Sequence, residues 1–324
     1  SVFVTRDSAW RIGPGPSRLQ LFAQQAMAPH ASLAAAVLGS LAPLAMGHAY
    51  LAEPPSRNVL AYAWGQETCP HCLQSGGPDA VKARGLGAWP TKDAFGSHGL
   101  CGNPVQKMPE PVTLSDESYL VPTPVQRTYH AGETVEFVVG VSTHHLGHYE
   151  FRICDRALDH ETLASVEEGQ ACLNEHVLQR APLDASCVPD DPRGDCQPID
   201  EAHPGRWYLP PPHGDTQVAG ASWSDVQANH LPALTETHVM RFVIPGDLQC
   251  THCTLQWYWS TGNSCLYDAD YFSYFQNMQA LGWSAAAWST IALEPWATCA
   301  NSCCGSARGG LHAEEFWNCA DIAV

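Results

Sequence analysis

Hydrophobic positions in this chain recur with the period of extended strands. Tyr149-Glu-Phe-Arg-Ile-Cys154 alternates apolar and polar residues, and Thr134-Val-Glu-Phe-Val-Val-Gly-Val141 is built from β-branched and aromatic ones. His238-Val-Met-Arg-Phe-Val-Ile244 stops at the turn pair Pro245-Gly246, and Thr254-Leu-Gln-Trp-Tyr-Trp259 stops at Thr261-Gly-Asn263. Short strands closed by Gly, Pro and Asn predict an all-β fold, an antiparallel β-sandwich of the immunoglobulin/fibronectin-III kind. Trp257 and Trp259 alternate with Tyr258, so both are expected in the core and not on the surface as sugar platforms. Helical periodicity is weak throughout, and no repeat of roughly 20 to 50 residues is visible.

Two stretches, 53–130 and 155–235, lack strand patterning. The first carries Cys69, Cys72 and Cys101. The second carries Cys172, Cys187, Cys196 and the run Pro210-Pro-Pro212. Structureless loops of that length are uncommon in a compact domain. Both are therefore expected to be long insertions pinned by disulfides.

Composition supports that picture. The chain has 324 residues, with 26 Gly and 25 Pro against only 16 Lys and Arg, a loop-rich β profile. The cysteines number 14, an even count, and the first is Cys69. In an exported chain they read as disulfides formed in an oxidising compartment. Cys69-Pro-His-Cys72 has the spacing of thioredoxin-like oxidases, but no βαβ pattern surrounds it. It is expected to be a staple, and a sandwich fold would sink the oxidase reading.

The export signal lies near the N-terminus. Residues 32–46 form an apolar run interrupted by Pro43, too short to span a membrane comfortably. The run ends in Ala45-Met-Gly47, with small residues at the −3 and −1 positions of a cleavage site. Met27 is a candidate start, and Arg6, Arg11 and Arg18 precede it. Residues 1–47 are expected to be an upstream segment plus a secretory signal peptide cleaved after Gly47. The remainder, 48–324, is expected to be one secreted, monomeric domain without stable membrane association. An uncleaved N-terminal anchor is the competing reading. The formal net charge of −17 excludes nucleic acids and anionic membranes as partners, since both need basic patches. A neutral or weakly cationic polymer such as a polysaccharide remains.

Cleavage after Gly47 would leave histidine as the first residue. An N-terminal His48 offers its α-amine and its ring Nδ1 to one metal as a chelate, and a second histidine adds a third nitrogen. The amine has an ordinary pKa of about 8 and releases its proton to a metal readily. Three neutral nitrogens suit copper. A zinc pair from His144 and His148 would need a helix, which Gly147 and its β-branched neighbours oppose. If 142–148 is a strand, His144 and His148 share one face and His145 takes the other.

Four segments carry a family resemblance. His48-Ala-Tyr-Leu-Ala-Glu-Pro-Pro-Ser-Arg-Asn58 resembles the mature N-terminus of lytic polysaccharide monooxygenases. Ser142-Thr-His-His-Leu-Gly-His-Tyr-Glu-Phe-Arg-Ile-Cys154 resembles their second-histidine segment. Leu248 to Asn263, with Cys250-Thr-His-Cys253 and Leu255-Gln-Trp257, resembles their Cys-x-x-Cys strand. Glu314-Glu-Phe-Trp-Asn-Cys-Ala-Asp-Ile322 resembles their closing strand. The segments run in the family's order, and they are similar to those of the eukaryotic branch first recognised in insects.

The resemblance implies copper held by His48 and His145, with Phe316 beside the axial position. Insect-type members usually have Tyr there, whereas Phe cannot ligate and leaves that face open. Thr143 falls where bacterial members often have Ala, and Ala49 where Gly is common. Glu314 and Glu315 are candidates for an acid near the metal. Arg57 is expected to be structural. The implied reaction uses an external electron donor and O2 or H2O2 as co-substrate. It hydroxylates C1 or C4 of a sugar in insoluble chitin or cellulose, and the glycosidic bond is then eliminated. A non-catalytic copper- or carbohydrate-binding relative with the same histidines is the competing class.

Overall fold

In the computed structural model the predicted strands form, and they pair through registers that match their alternation. The structure describes residues 49–66, 70–72, 100–102, 119–189, 194–209, 216–217, 236–262, 265–266, 268, 270–283, 304 and 313–324. The cleavage segment, His48, Cys69 and Pro210-Pro-Pro212 lie outside them, and the Cys72 side chain is not described. The described residues all fall in one unit, Ala45–Val324.

In chain order the strands are β1 (Ala49–Glu53), β2 (Arg127–Thr128), β3 (Thr134–Val141), β4 (Thr143–His144), β5 (His148–Cys154), β6 (His176–Val177), β7 (Gln179–Arg180), β8 (Trp207–Tyr208), β9 (Thr216–Gln217), β10 (Glu236–Val243), β11 (Cys253–Ser260) and β12 (Glu315–Ala323). One sheet has the order β1-β3-β10-β7. The other runs β2-β12-β11-β5-β6, with β8 also pairing β5. The pairings are antiparallel except β12 with β2. The fold is the all-β sandwich expected. Among the described residues no helix is long and apolar enough to cross a membrane.

Period two decides which side chains meet between the sheets. Val135, Phe137, Val139 and Val141 of β3 and Met240 and Phe242 of β10 face Tyr149, Phe151 and Ile153 of β5 and Leu255, Trp257 and Trp259 of β11 in one core. Phe137 and Phe151 approach to 4.7 Å between ring centroids. Trp257 and Trp259 are fully buried there, as alternation requires.

The outer face of the second sheet departs from simple alternation. Thr254, Gln256, Tyr258 and Ser260 should face solvent, yet all are buried. The predicted insertions cover them. Leu100, Cys101, Leu120, Leu158, Leu163 and Leu173 form a second apolar cluster over this face. Two disulfides pin the cover, Cys101–Cys319 and Cys154–Cys172, and Cys187–Cys196 closes a loop within the second insertion. Arg57 is buried beneath it and bridges Asp321, so its structural role is borne out.

Helices also appear: α1 (Arg57–Ala63), α2 (Val166–Asn174) and α3 (Tyr271–Ala280). The first two interrupt the stretches expected to be irregular, 53–130 and 155–235, and α3 lies beyond both. Ser165-Val-Glu-Glu168 starts α2 as a capping sequence, with Glu168 N donating to Ser165 Oγ at 3.2 Å. Glu168 Oε2 accepts from Ala164 N at 2.8 Å, which satisfies a second free donor at the helix entrance. Ser165→Ala should destabilise the protein by about 1 kcal/mol, measured by urea unfolding. No change would mean that packing alone fixes the start of α2.

Candidate metal centre

The two sheets bring the predicted segments to one end of the sandwich. In the β1–β3 pair Ala49 lies opposite Val141. Ala49 is the covalent neighbour of His48, and Val141 leads within four residues to His145. Leu51 N donates to Asn318 Oδ1 at 2.9 Å and ties β1 to β12, the strand that carries Phe316. Trp259 of β11 pairs with Phe316 of β12. These links place His145, Trp259 and Phe316 together. His48 itself is not among the described residues.

The segment around His145 is not one strand. β4 ends at His144, and the chain then turns through Leu146 at φ 61° and Gly147 at φ 83° before β5 begins. The alternation expected for His144, His145 and His148 therefore breaks. Glycine is required at 147: a Cβ there would lie 1.8 Å from Ser260 O. Leu146 has no such exemption, and its left-handed backbone costs roughly 1–2 kcal/mol that its surroundings must offset.

Those surroundings are well defined. Trp259 Nε1 donates to Leu146 O at 2.8 Å, and Leu146 N donates to His144 Nδ1 at 3.2 Å. Gly262 N donates to His145 O at 2.6 Å, and Leu209 N to Gly147 O at 2.9 Å. The His145 ring stacks on Trp259, with centroids 5.6 Å apart and planes 20° from parallel. Phe316 closes a second side at 6.3 Å. The imidazole is thus walled by two aromatic rings on a hydrogen-bonded turn.

Of the two candidate acids, Glu314 faces His145. Its Oε2 lies 3.9 Å from His145 Nε2. Its backbone oxygen accepts from Thr261 N at 3.0 Å and Thr261 Oγ1 at 2.9 Å. Glu315 turns to the outer layer, where Tyr258 donates to it at 2.6 Å. Thr143 is buried, and its strand pairs with β9 opposite Gln217.

Among the described residues His144 and His148 do not fall in one cluster of metal-ligating groups. The His144 ring meets His238 edge-on at 6.2 Å. Burial pushes its pKa down to about 3, against the opposing pull of Glu236, so it is neutral at ordinary pH. His148 lies 3.4 Å from Glu150 and 3.8 Å from Asp268. Its pKa is lowered by burial first and by the nearby Arg206 second. Among the described residues, Cys154, Asp155 and Cys172 also cluster, but the two cysteines are bonded to each other and offer no thiolate.

His145 fits copper by the chemistry of its donor: an imidazole held in a fixed, nearly dry pocket, its orientation set by neighbours. Sequence reasoning missed the supports, Trp259 and the left-handed turn. The only local signal for them was Gly147 two residues after His145.

Comparison with known proteins adds a family. A family model described as "Lytic polysaccharide mono-oxygenase, cellulose-degrading" matches residues 48–322. Among curated protein sequences none matches the chain. Solved structures are similar as well, two of them as follows. One is an AA15 lytic polysaccharide monooxygenase from Thermobia domestica in the Cu(I) state, 21% identical, covering 85% of this chain and 98% of that one, with a TM-score of 0.45. The other is a chitin binding domain from Burkholderia pseudomallei, 11% identical, with the same two coverages and a TM-score of 0.34.

Proposed function

The chain belongs to the lytic polysaccharide monooxygenase family, whose members cleave polysaccharides oxidatively with copper, and we propose that His48 and His145 hold that copper in a secreted protein cleaved after Gly47. The observation that carries the proposal is the family match itself, which begins at His48. The placement of Ala49 and His145 at one end of the sandwich supports it. We further propose insoluble chitin or cellulose as the substrate, with hydroxylation at C1 or C4.

Copper supplies the one-electron chemistry that protein side chains lack. The balance is simple. One oxygen atom enters a sugar C–H bond, and the hydroxylated carbon then expels the neighbouring glycosidic oxygen as an alcohol. With O2 the external donor's electrons reduce the second oxygen atom to water; with H2O2 that water forms without further electrons.

The chain's own residues set the stage. His145 offers an imidazole nitrogen in a fixed direction because Trp259 and the turn hold its ring. Phe316 blocks one side without ligating. Glu314 Oε2, 3.9 Å from His145 Nε2, keeps a carboxylate beside the ring.

Protein secreted and processed to begin at His48 tests this reading. After copper loading and addition of ascorbate, mass spectrometry should find oxidised oligosaccharides from chitin or from cellulose, and the oxidised end identifies the attacked carbon. Tight copper binding without products from either polymer, or from a wider glycan panel, would favour a non-catalytic binding protein.

A further inference from the structure

Leu146 is, among the described residues, the non-glycine residue with a left-handed φ. Such an outlier persists only when its surroundings over-determine it, and outliers of this kind gather at functional sites. Its backbone is held from the sandwich side by Trp259 and His144. Its side chain points elsewhere. It is buried in a third apolar cluster with Tyr208, Leu266, Tyr271, Phe272 and Phe275, separate from the sandwich core.

That cluster belongs largely to α3 and the segment before it. Several ties hold α3 to the 194–209 loop. Tyr271 donates to Leu209 O, and Tyr274 to Pro198 O at 2.5 Å. Arg206 bridges Asp268, just before α3, at 2.9 Å; apart from that loop, Cys265 is bonded to Cys304. Gly262, which holds the His145 carbonyl, sits between this segment and the turn. A Cβ on it would meet Leu266 Cδ1 at 2.8 Å and Leu146 Cβ at 2.9 Å. The α3 segment thus presses on the residue after His145 and on the residue that bonds His145.

We propose that Leu146 is a positioning residue for the His145 imidazole, and that Leu266 and α3 form the clamp that seats it. Anchored outside the sandwich, the Leu146 side chain holds the left-handed backbone that aims His145. The inference rests on the reading of His145 as a copper ligand.

The test uses processed protein, copper titration calorimetry and Cu(II) electron paramagnetic resonance. Leu146→Gly permits the same backbone but has no anchor. Leu146→Met keeps an apolar anchor of similar volume. Leu266→Ala hollows the clamp from a residue with no place in the site. Loss of a group that orients a metal ligand weakens binding by roughly 10–100-fold. Leu146→Gly and Leu266→Ala should fall in that range and shift the copper hyperfine splitting, while Leu146→Met should match the wild type.

Wild-type affinity and spectrum in both Leu146→Gly and Leu266→Ala would overturn the proposal. If near-ultraviolet circular dichroism shows either variant unfolded, Leu266→Val takes its place, and a wild-type spectrum there overturns it equally. Absence of tight copper binding by the wild type, or unchanged binding by His145→Ala, would instead overturn the ligand reading, and this inference with it.

Discussion

His145→Ala, in protein processed to begin at His48, should lose copper affinity by more than the roughly 10–100-fold that follows loss of a mere orienting group. It should also yield no oxidised oligosaccharide. Without His145 a metal would keep only the amine and ring nitrogen of His48. The described neighbours offer no replacement. Glu314 brings a carboxylate, a donor better suited to harder ions. His144 already accepts from Leu146 N through Nδ1, and its ring faces His238. Trp259 and Phe316 have no lone pair to give. Calorimetric titration with copper measures the loss directly, beside a thermal melt that checks the fold. Unchanged affinity in a folded His145→Ala protein would remove His145 from the site. It would also remove the reason for the aromatic walls around its ring.

The strands were legible because their signal is local. β3 matches its predicted span, Thr134–Val141, and β5, β10 and β11 differ by a residue or two at their ends. α2 carried a local signal too, in Ser165 and Glu168, but a helix of nine residues draws its stability mainly from packing that no local pattern shows. In α3 the residues Tyr271, Phe272, Phe275 and Met278 recur at helical spacing, yet aromatic residues are as frequent in strands.

What stayed hidden depended on pairing across the chain. Alternation in β5 points Glu150 and Arg152 to solvent. In the structure both are buried, because Arg206 and the insertions close over them. Burial alone would raise the Glu150 carboxyl, but Arg152, His148 and Arg206 hold it well below the usual carboxylate range. No local pattern announces such a network.

The site shows the same division. His48, His145 and Phe316 came from motifs, and each sits in its own short segment. The stack of Trp259 on His145 depends instead on the register of β11 against both β5 and β12, which places Trp259 opposite Tyr149 and Phe316. Register is a property of two strands, so a single segment cannot reveal it. The turn at Leu146 is hidden for a further reason: leucine gives no hint of a left-handed backbone.

Asp321→Ala should be the most damaging change at the opposite end of β12, with a loss of about 3–5 kcal/mol at neutral pH. Asp321 is fully buried and accepts from Arg57 Nε at 2.8 Å and Arg57 Nη2 at 2.6 Å. Thr123 N and Thr123 Oγ1 also donate to it, each at 2.8 Å. His252 Nε2 lies 3.0 Å away on the more exposed side. Removing the carboxylate leaves the Arg57 cation buried, with Tyr119 O, Leu158 O and Thr254 Oγ1 as its remaining oxygen partners among the described residues. An uncompensated buried charge, more than the lost bonds, sets the size of the effect. The pH dependence follows from the same contacts. Burial would raise the Asp321 carboxyl, but the Arg57 guanidinium and the Thr123 donors hold it below its ordinary value. A carboxylate depressed in the folded state contributes its full stability above the unfolded-state pKa, about 3.9. That contribution is lost as the pH falls through the lower folded value. The penalty of Asp321→Ala should therefore be largest near neutrality and shrink below about pH 4, as the wild type loses what the variant never had. Urea unfolding of both proteins across this range measures it. A penalty under about 1 kcal/mol at neutral pH, the size of a surface pair, would show that the Arg57 pair does not hold the insertions to the sheet.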